Sequence, residues 1–240
     1  MFPIRDHNPA SITPFVSWGL ILVNVAVWLS YGLRPEPEVW QVYMDWAMVP
    51  AEVTVGQEWH TLLTCMFMHG GFMHLAGNML FLFIFGDNLE DWLGHAGMLA
   101  FYLACGLAAS AAQIVVDPGS QIPNVGASGA IAGLMGGYLV LFPKAKVDVL
   151  LFLGFLARMI VLPAFVVLGG WLAIQLFSGV SSWGAAGGGV AWWAHVGGFA
   201  AGVVLTFALM GLKGRPPGWP GLPPHPAAPA PAPSPWSRGR

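Results

Sequence analysis

The sequence predicts an all-α fold, a polytopic membrane helical bundle with six transmembrane helices, and three observations carry that prediction. Of 240 residues, 56% are hydrophobic and only 8% are charged, where a soluble domain carries about a quarter charged residues. Six apolar runs approach the roughly 20 residues that a helix rising 1.5 Å per residue needs to cross a hydrocarbon core about 30 Å thick. The cationic side chains sit in short clusters near the ends of those runs, almost all on one side of the implied topology.

Taken in order, residues 1–13 read as a cytoplasmic N-terminal segment. They carry Arg5, and no small-residue cleavage site follows the next apolar run, so that run reads as an uncleaved anchor. The spans are expected at about Phe15–Gly32, Phe72–Phe85, Ala96–Val116, Ser128–Phe142, Val161–Phe177 and Val190–Leu212, the second with a possible earlier start near Thr61. Val147–Ala157 is also apolar, but it is short and followed by Arg158 and Pro163. It reads as an interfacial approach to the fifth span, with a seven-helix count as the alternative. Residues 14–213 then form the membrane domain. Residues 214–240, rich in Pro and Ala, read as a disordered cytoplasmic tail, because they offer too little large apolar surface to fold.

Orientation follows from the excess of Lys and Arg on cytoplasmic loops. With both termini inside, Arg5, Lys144, Lys146, Arg158, Lys213, Arg215, Arg238 and Arg240 are cytoplasmic and only Arg34 is outside. The long external loop, about Leu33–Trp59, holds Trp40, Trp46 and Trp59 and suits the headgroup region. A net charge of −2 leaves no basic excess for nucleic acid. Cys65 and Cys105 lie in apolar stretches, where a thiol behaves as a small hydrophobe.

Strongly polar side chains inside membrane helices are costly and point to function. His74 and Asn78 lie four residues apart, on one face of the second span. Ser128 opens the fourth span in Gly126-Ala127-Ser128-Gly129, and His195 lies in Ala194-His195-Val196-Gly197-Gly198 of the sixth. Singly, each reads as a packing residue. In combination they do not, because small residues repeat at intervals of four: Ser128, Ala132 and Gly136 on one span, Ala194, Gly198 and Gly202 on the other. Such stripes let helix backbones approach closely, as a short Ser side chain and an imidazole must if they are to meet. Gly126, Gly129, Gly198 and Gly202 are the expected packing supports.

A serine hydroxyl needs a base within hydrogen-bond reach, and histidine is suited to that task near pH 7. Acyl transfer also requires donors for the developing oxyanion, worth about 3 kcal/mol each. His74, Asn78 and the backbone N–H of Ser128 at a helix N-terminus are the candidates. With no carboxylate in the fourth or sixth span, Ser128 and His195 are expected to form a dyad.

These segments, together with Phe85-Gly86-Asp87-Asn88-Leu89-Glu90-Asp91 between the second and third spans, resemble the rhomboid family of intramembrane serine proteases, over about Glu58–Leu212. The resemblance implies the bacterial-type six-helix core in an inner (plasma) membrane, Ser128 as nucleophile, His195 as base and an oxyanion site at His74 and Asn78. It implies transmembrane protein substrates cut near their outer ends, and neither metal nor cofactor. Family members often carry a Trp-Arg pair in the first loop, but here Trp40 precedes Gln41; some stack a Tyr on the catalytic imidazole, but position 132 is Ala. The Gly86–Asp91 run reads as a cytoplasmic turn that caps helices. A non-catalytic binder of membrane helices is the main competing class. A carrier using His69, His74 and His195 is a weaker one, for want of intramembrane carboxylates or an internal repeat.

Overall fold

The computed structural model describes residues 2–153, 156–183 and 189–214; the expected tail from 215 onward lies outside them. In chain order the elements are strand β1 (Phe2–Asp6), helices α1 (Phe15–Tyr31), α2 (Glu36–Trp46), α3 (Pro50–Thr54) and α4 (Thr61–Thr64), and a 3-10 turn (Cys65–Phe67). Then come α5 (Phe72–Leu93), α6 (His95–Val116), α7 (Ser128–Leu141), strands β2 (Lys146–Leu153) and β3 (Leu156–Pro163), α8 (Ala164–Ser181) and α9 (Trp192–Lys213). The protein is a membrane helical bundle in which four helices, α5, α6, α8 and α9, are long and apolar enough to cross a bilayer, with α1 and α7 as shorter apolar helices.

Helix α7 is the centre of the bundle. From Gly129 to Leu141 all but one of its residues are buried, Leu139 being the partly exposed one. It packs against α9 most extensively and also against α6, α5 and α8. The α7–α9 seam is made of backbone on backbone. A side chain at Gly198 would overlap the carbonyl oxygen of Gly129, one at Gly202 that of Gly133, and one at Gly136 that of Phe199. The expected α9 stripe therefore faces α7, where it meets Gly129, Gly133 and Gly136. Gly129 also meets α6, where an added Cβ would stand 2.5 Å from that of Ala109.

Two elements differ from the sequence expectation. The first is a three-stranded antiparallel sheet, in the order β1-β2-β3, standing beside the helices where an all-α chain was expected. The stretch read as an interfacial approach is the β2–β3 hairpin. It delays the fifth helix to Ala164, because Pro163 is still extended. Phe2–Asp6 adds to that hairpin as an edge strand, so the segment before α1 is fastened to the bundle from Phe2 onward. Arg5 and His7 bond the Asp148 carboxylate at 3.0 and 2.7 Å, and these bonds, His7 foremost, hold it below the usual carboxylate range. Burial pushes the Asp6 carboxyl up to about 6, against the bond it accepts from the Tyr138 hydroxyl of α7 at 2.5 Å.

The second difference is the Gly86–Asp91 run, which is the last third of α5 and not a turn; the turn is at Gly94, with φ +76°. The helix begins at Phe72, separated from α4 by the extended Gly71. The acids on this run do cap a helix, but a distant one. Pro14 precedes α1 and supplies no side-chain cap, so the open N–H groups of its first turn are met by Glu90. Its carboxylate accepts from Val16 N at 2.8 Å, and from Ser17 N and Ser17 Oγ at 2.7 Å each, and also bonds His95 Nδ1 at 2.6 Å. Asp91 takes Ser11 N and Oγ, and Asn88 pairs with Asn8.

Candidate active site

Ser128 is the first residue of α7, and the chain before it is held on two sides. Met48 and Asn124 exchange backbone hydrogen bonds of 3.1 and 2.8 Å, and Gly126 N donates to the Cys65 carbonyl at 2.9 Å. Gly126 supports the site as a loop residue rather than through helix packing. Its φ is +138°, and a Cβ there would stand 3.0 Å from the His74 ring and 3.2 Å from Ser128 Oγ. Both the backbone and the space therefore require glycine.

His195 lies one turn into α9, buried, with its Nε2 2.8 Å from Ser128 Oγ. The glycine seam is what allows this distance, since Gly198 on the next turn touches the carbonyl of Gly129, the residue after Ser128. The other imidazole nitrogen, Nδ1, is 2.7 Å from Gln175 Oε1 on α8. One turn earlier on that helix, Trp171 lies against the ring with centroids 5.6 Å apart. In place of an aromatic at position 132, the imidazole is flanked by an indole from α8. Sequence reasoning missed Gln175 and Trp171. Their spacing of four residues on an apolar helix marks one shared face, but nothing in the sequence says which helix that face meets.

His74 and Asn78 share the first turns of α5. His74 reaches Gly126, the residue two before Ser128. Gly70 N donates to His74 Nδ1 at 3.3 Å, so the proton of the neutral ring belongs on Nε2, which lies on the Gly126 side of the ring. Asn78 is buried, and its Nδ2 has no hydrogen-bond partner among the described residues. A buried amide with unused donors is costly unless something completes it. His69 is wholly buried beneath His74, ring centroids 5.2 Å apart. Its backbone is fixed by Tyr31, whose hydroxyl accepts from His69 N at 2.6 Å and donates to His69 O at 2.9 Å.

Beside Ser128 lies a cavity of about 40 Å³, lined by Met48, Met66, Ala109, Ser110 and Ala194 among others. Among the described residues no three His, Cys, Asp or Glu side chains are grouped as metal ligands. What meets around the Ser128 hydroxyl is the His195 imidazole and, across Gly126, the His74 ring.

The family model described as the Rhomboid domain matches residues 56–212. Rhomboid protein 1, mitochondrial, of Saccharomyces cerevisiae is 30% identical over 202 residues, which are 80% of this chain and 52% of that protein. RHOMBOID-like protein 6, mitochondrial, of Arabidopsis thaliana is 32% identical over 173 residues, 70% of this chain and 48% of the relative. Rhomboid protease GluP of Bacillus subtilis is 43% identical over 82 residues, 34% of this chain and 16% of its own length. The chain spans about half the length of the two mitochondrial relatives.

Proposed function

This chain belongs to the rhomboid family, and from that premise we propose that it is an intramembrane serine endopeptidase that hydrolyses peptide bonds in transmembrane protein substrates. The observation that carries the reading is the 2.8 Å contact between Ser128 Oγ and His195 Nε2 in a helical membrane bundle. His195 takes the Ser128 proton as the oxygen adds to the substrate carbonyl. The oxyanion draws on Asn78 Nδ2, the Nε2–H of His74 and the Ser128 backbone N–H. The tetrahedral intermediate expels the amine, which leaves with the proton from His195, and water activated by the same imidazole releases the acyl group. The small cavity beside Ser128 favours a small side chain before the cut.

Counting sides supports six spans. Strands hydrogen-bonded in one sheet share one side of the membrane, so the chain crosses an even number of times between β1 and β2. Helices α5 and α6 make two crossings, so α1 and α7 cross together or not at all. The buried polar site at the start of α7 favours crossing. At 1.5 Å per residue, the 14 residues of α7 cover about 21 Å of a core about 30 Å thick, which sets Ser128 below the outer surface. The positive-inside bias puts β1, the hairpin and both termini in the cytoplasm, and the natural setting is a bacterial inner membrane. The membrane domain runs over residues 14–213.

Labelling of the detergent-solubilised protein with a fluorophosphonate tests the reading. The wild type is expected to react, and Ser128→Ala and His195→Ala are expected to lose the label. A folded wild type that does not label, in a site that a control probe reaches, assigns the chain to the non-catalytic binders instead. If Asn78 donates to the oxyanion, Asn78→Ala lowers kcat by about 10²–10³-fold with little change in KM; an unchanged kcat excludes that role.

A further inference from the structure

We infer that Gln175 is a positioning residue for His195 and that the reacting unit is Ser128-His195-Gln175, with an amide in the place that a carboxylate holds in other serine hydrolases. The inference rests on the serine-protease reading above and goes beyond the dyad. It starts from the proton on the imidazole. A neutral imidazole carries one N–H and one lone pair, and to accept the Ser128 proton His195 must present the lone pair at Nε2. Its proton then belongs on Nδ1, which needs an acceptor. The atom 2.7 Å away is Gln175 Oε1.

The orientation of the amide is supported independently. Gln175 Nε2 donates to the Trp171 carbonyl one turn back at 3.4 Å. With the amide's nitrogen engaged on its own helix, its oxygen faces α9. Reversing the amide would turn N–H groups toward Nδ1 and place the lone pair there, the tautomer that cannot serve as base. Gln175 is only 5% exposed, so water does not compete for either end. Trp171, against the face of the same ring, closes the remaining direction of rotation. One turn of α8 thus sets both the tautomer and the plane of the imidazole. Being neutral, the amide adds no charge to hold an imidazolium, so its contribution is orientation.

Two substitutions of equal length test this. Gln175→Met fills the same space without an acceptor; Gln175→Glu keeps an acceptor oxygen at the same reach, as in Ser-His-Glu hydrolases. Met is expected to lower kcat about 100-fold, the scale of a misplaced reacting group, with KM within twofold of wild type, and Glu is expected to restore most of it. A Met variant with wild-type kcat overturns the inference, as does a Glu variant no better than Met. Should Met fail to fold, ¹⁵N-histidine spectra of the wild type decide, with the His195 signal assigned by its loss in His195→Ala. A proton on Nδ1 supports the role, and a proton on Nε2 overturns it. A wild type that does not react with the fluorophosphonate removes the protease reading itself, a different result from a reactive wild type matched by Gln175→Met.

Discussion

Gly198→Val is expected to abolish hydrolysis, by more than 100-fold, while the protein still inserts in the membrane. A side chain at this position overlaps the Gly129 carbonyl, and a backbone oxygen in the first turn of a buried helix cannot swing aside as a side chain can. Overpacking of this kind costs about 1–3 kcal/mol or more, and the relief available is to push α7 away from α9. That movement acts directly on the chemistry, because Gly129 follows Ser128 and Gly198 follows His195 by one turn. A displacement near 1 Å suffices for about a 100-fold loss. The control is Gly211→Val on the same helix, where an added Cβ meets nothing within 4 Å and activity should persist. Peptide cleavage assays with membrane extraction of both variants check the pair; full activity of Gly198→Val would show that the seam is not what sets the site.

Glu90→Ala should produce the largest loss of thermal stability of any single acidic substitution in the bundle. The carboxylate, with its side chain fully buried, serves two backbone N–H groups and a hydroxyl at the start of α1. Each group stranded without a partner costs about 1–3 kcal/mol, and bonds to a charged acceptor lie at the strong end of the range. A loss of roughly 2–6 kcal/mol follows for the two N–H groups alone, read as a lowered unfolding temperature in detergent and as protease cutting near residues 10–20. Unchanged unfolding would mean that water or the Ser17 hydroxyl caps α1 unaided.

The helices were legible in the sequence because apolar length is a local property that bilayer thickness fixes. For α1, α6, α7 and α9 the expected bounds fall within one or two residues of those observed. Ser128 and His195 were legible because a hydroxyl, an imidazole and small residues at intervals of four stand out in an apolar chain. What was not legible depends on partners far away in sequence. Lys146–Pro163 has the composition of a short span until Phe2–Asp6 is seen to pair with it. Glu90 and Asp91 look like turn residues until Ser11 and Ser17, more than seventy positions earlier, are found on their oxygens. Gln175 looks like a lone polar residue on a lipid-facing helix, and its meaning depends on how α8 is rotated about its own axis.

The pairing of β1 with β2 also orders events in time. Arg5 meets Asp148 across 143 positions of sequence, so strand β1, once made, has no partner until α1, α5, α6 and α7 have all been made. At about 5–20 residues per second, that interval is roughly 7–30 s. Strand β1 is therefore seated late, a clasp that closes only after the helix bearing Ser128 has been delivered.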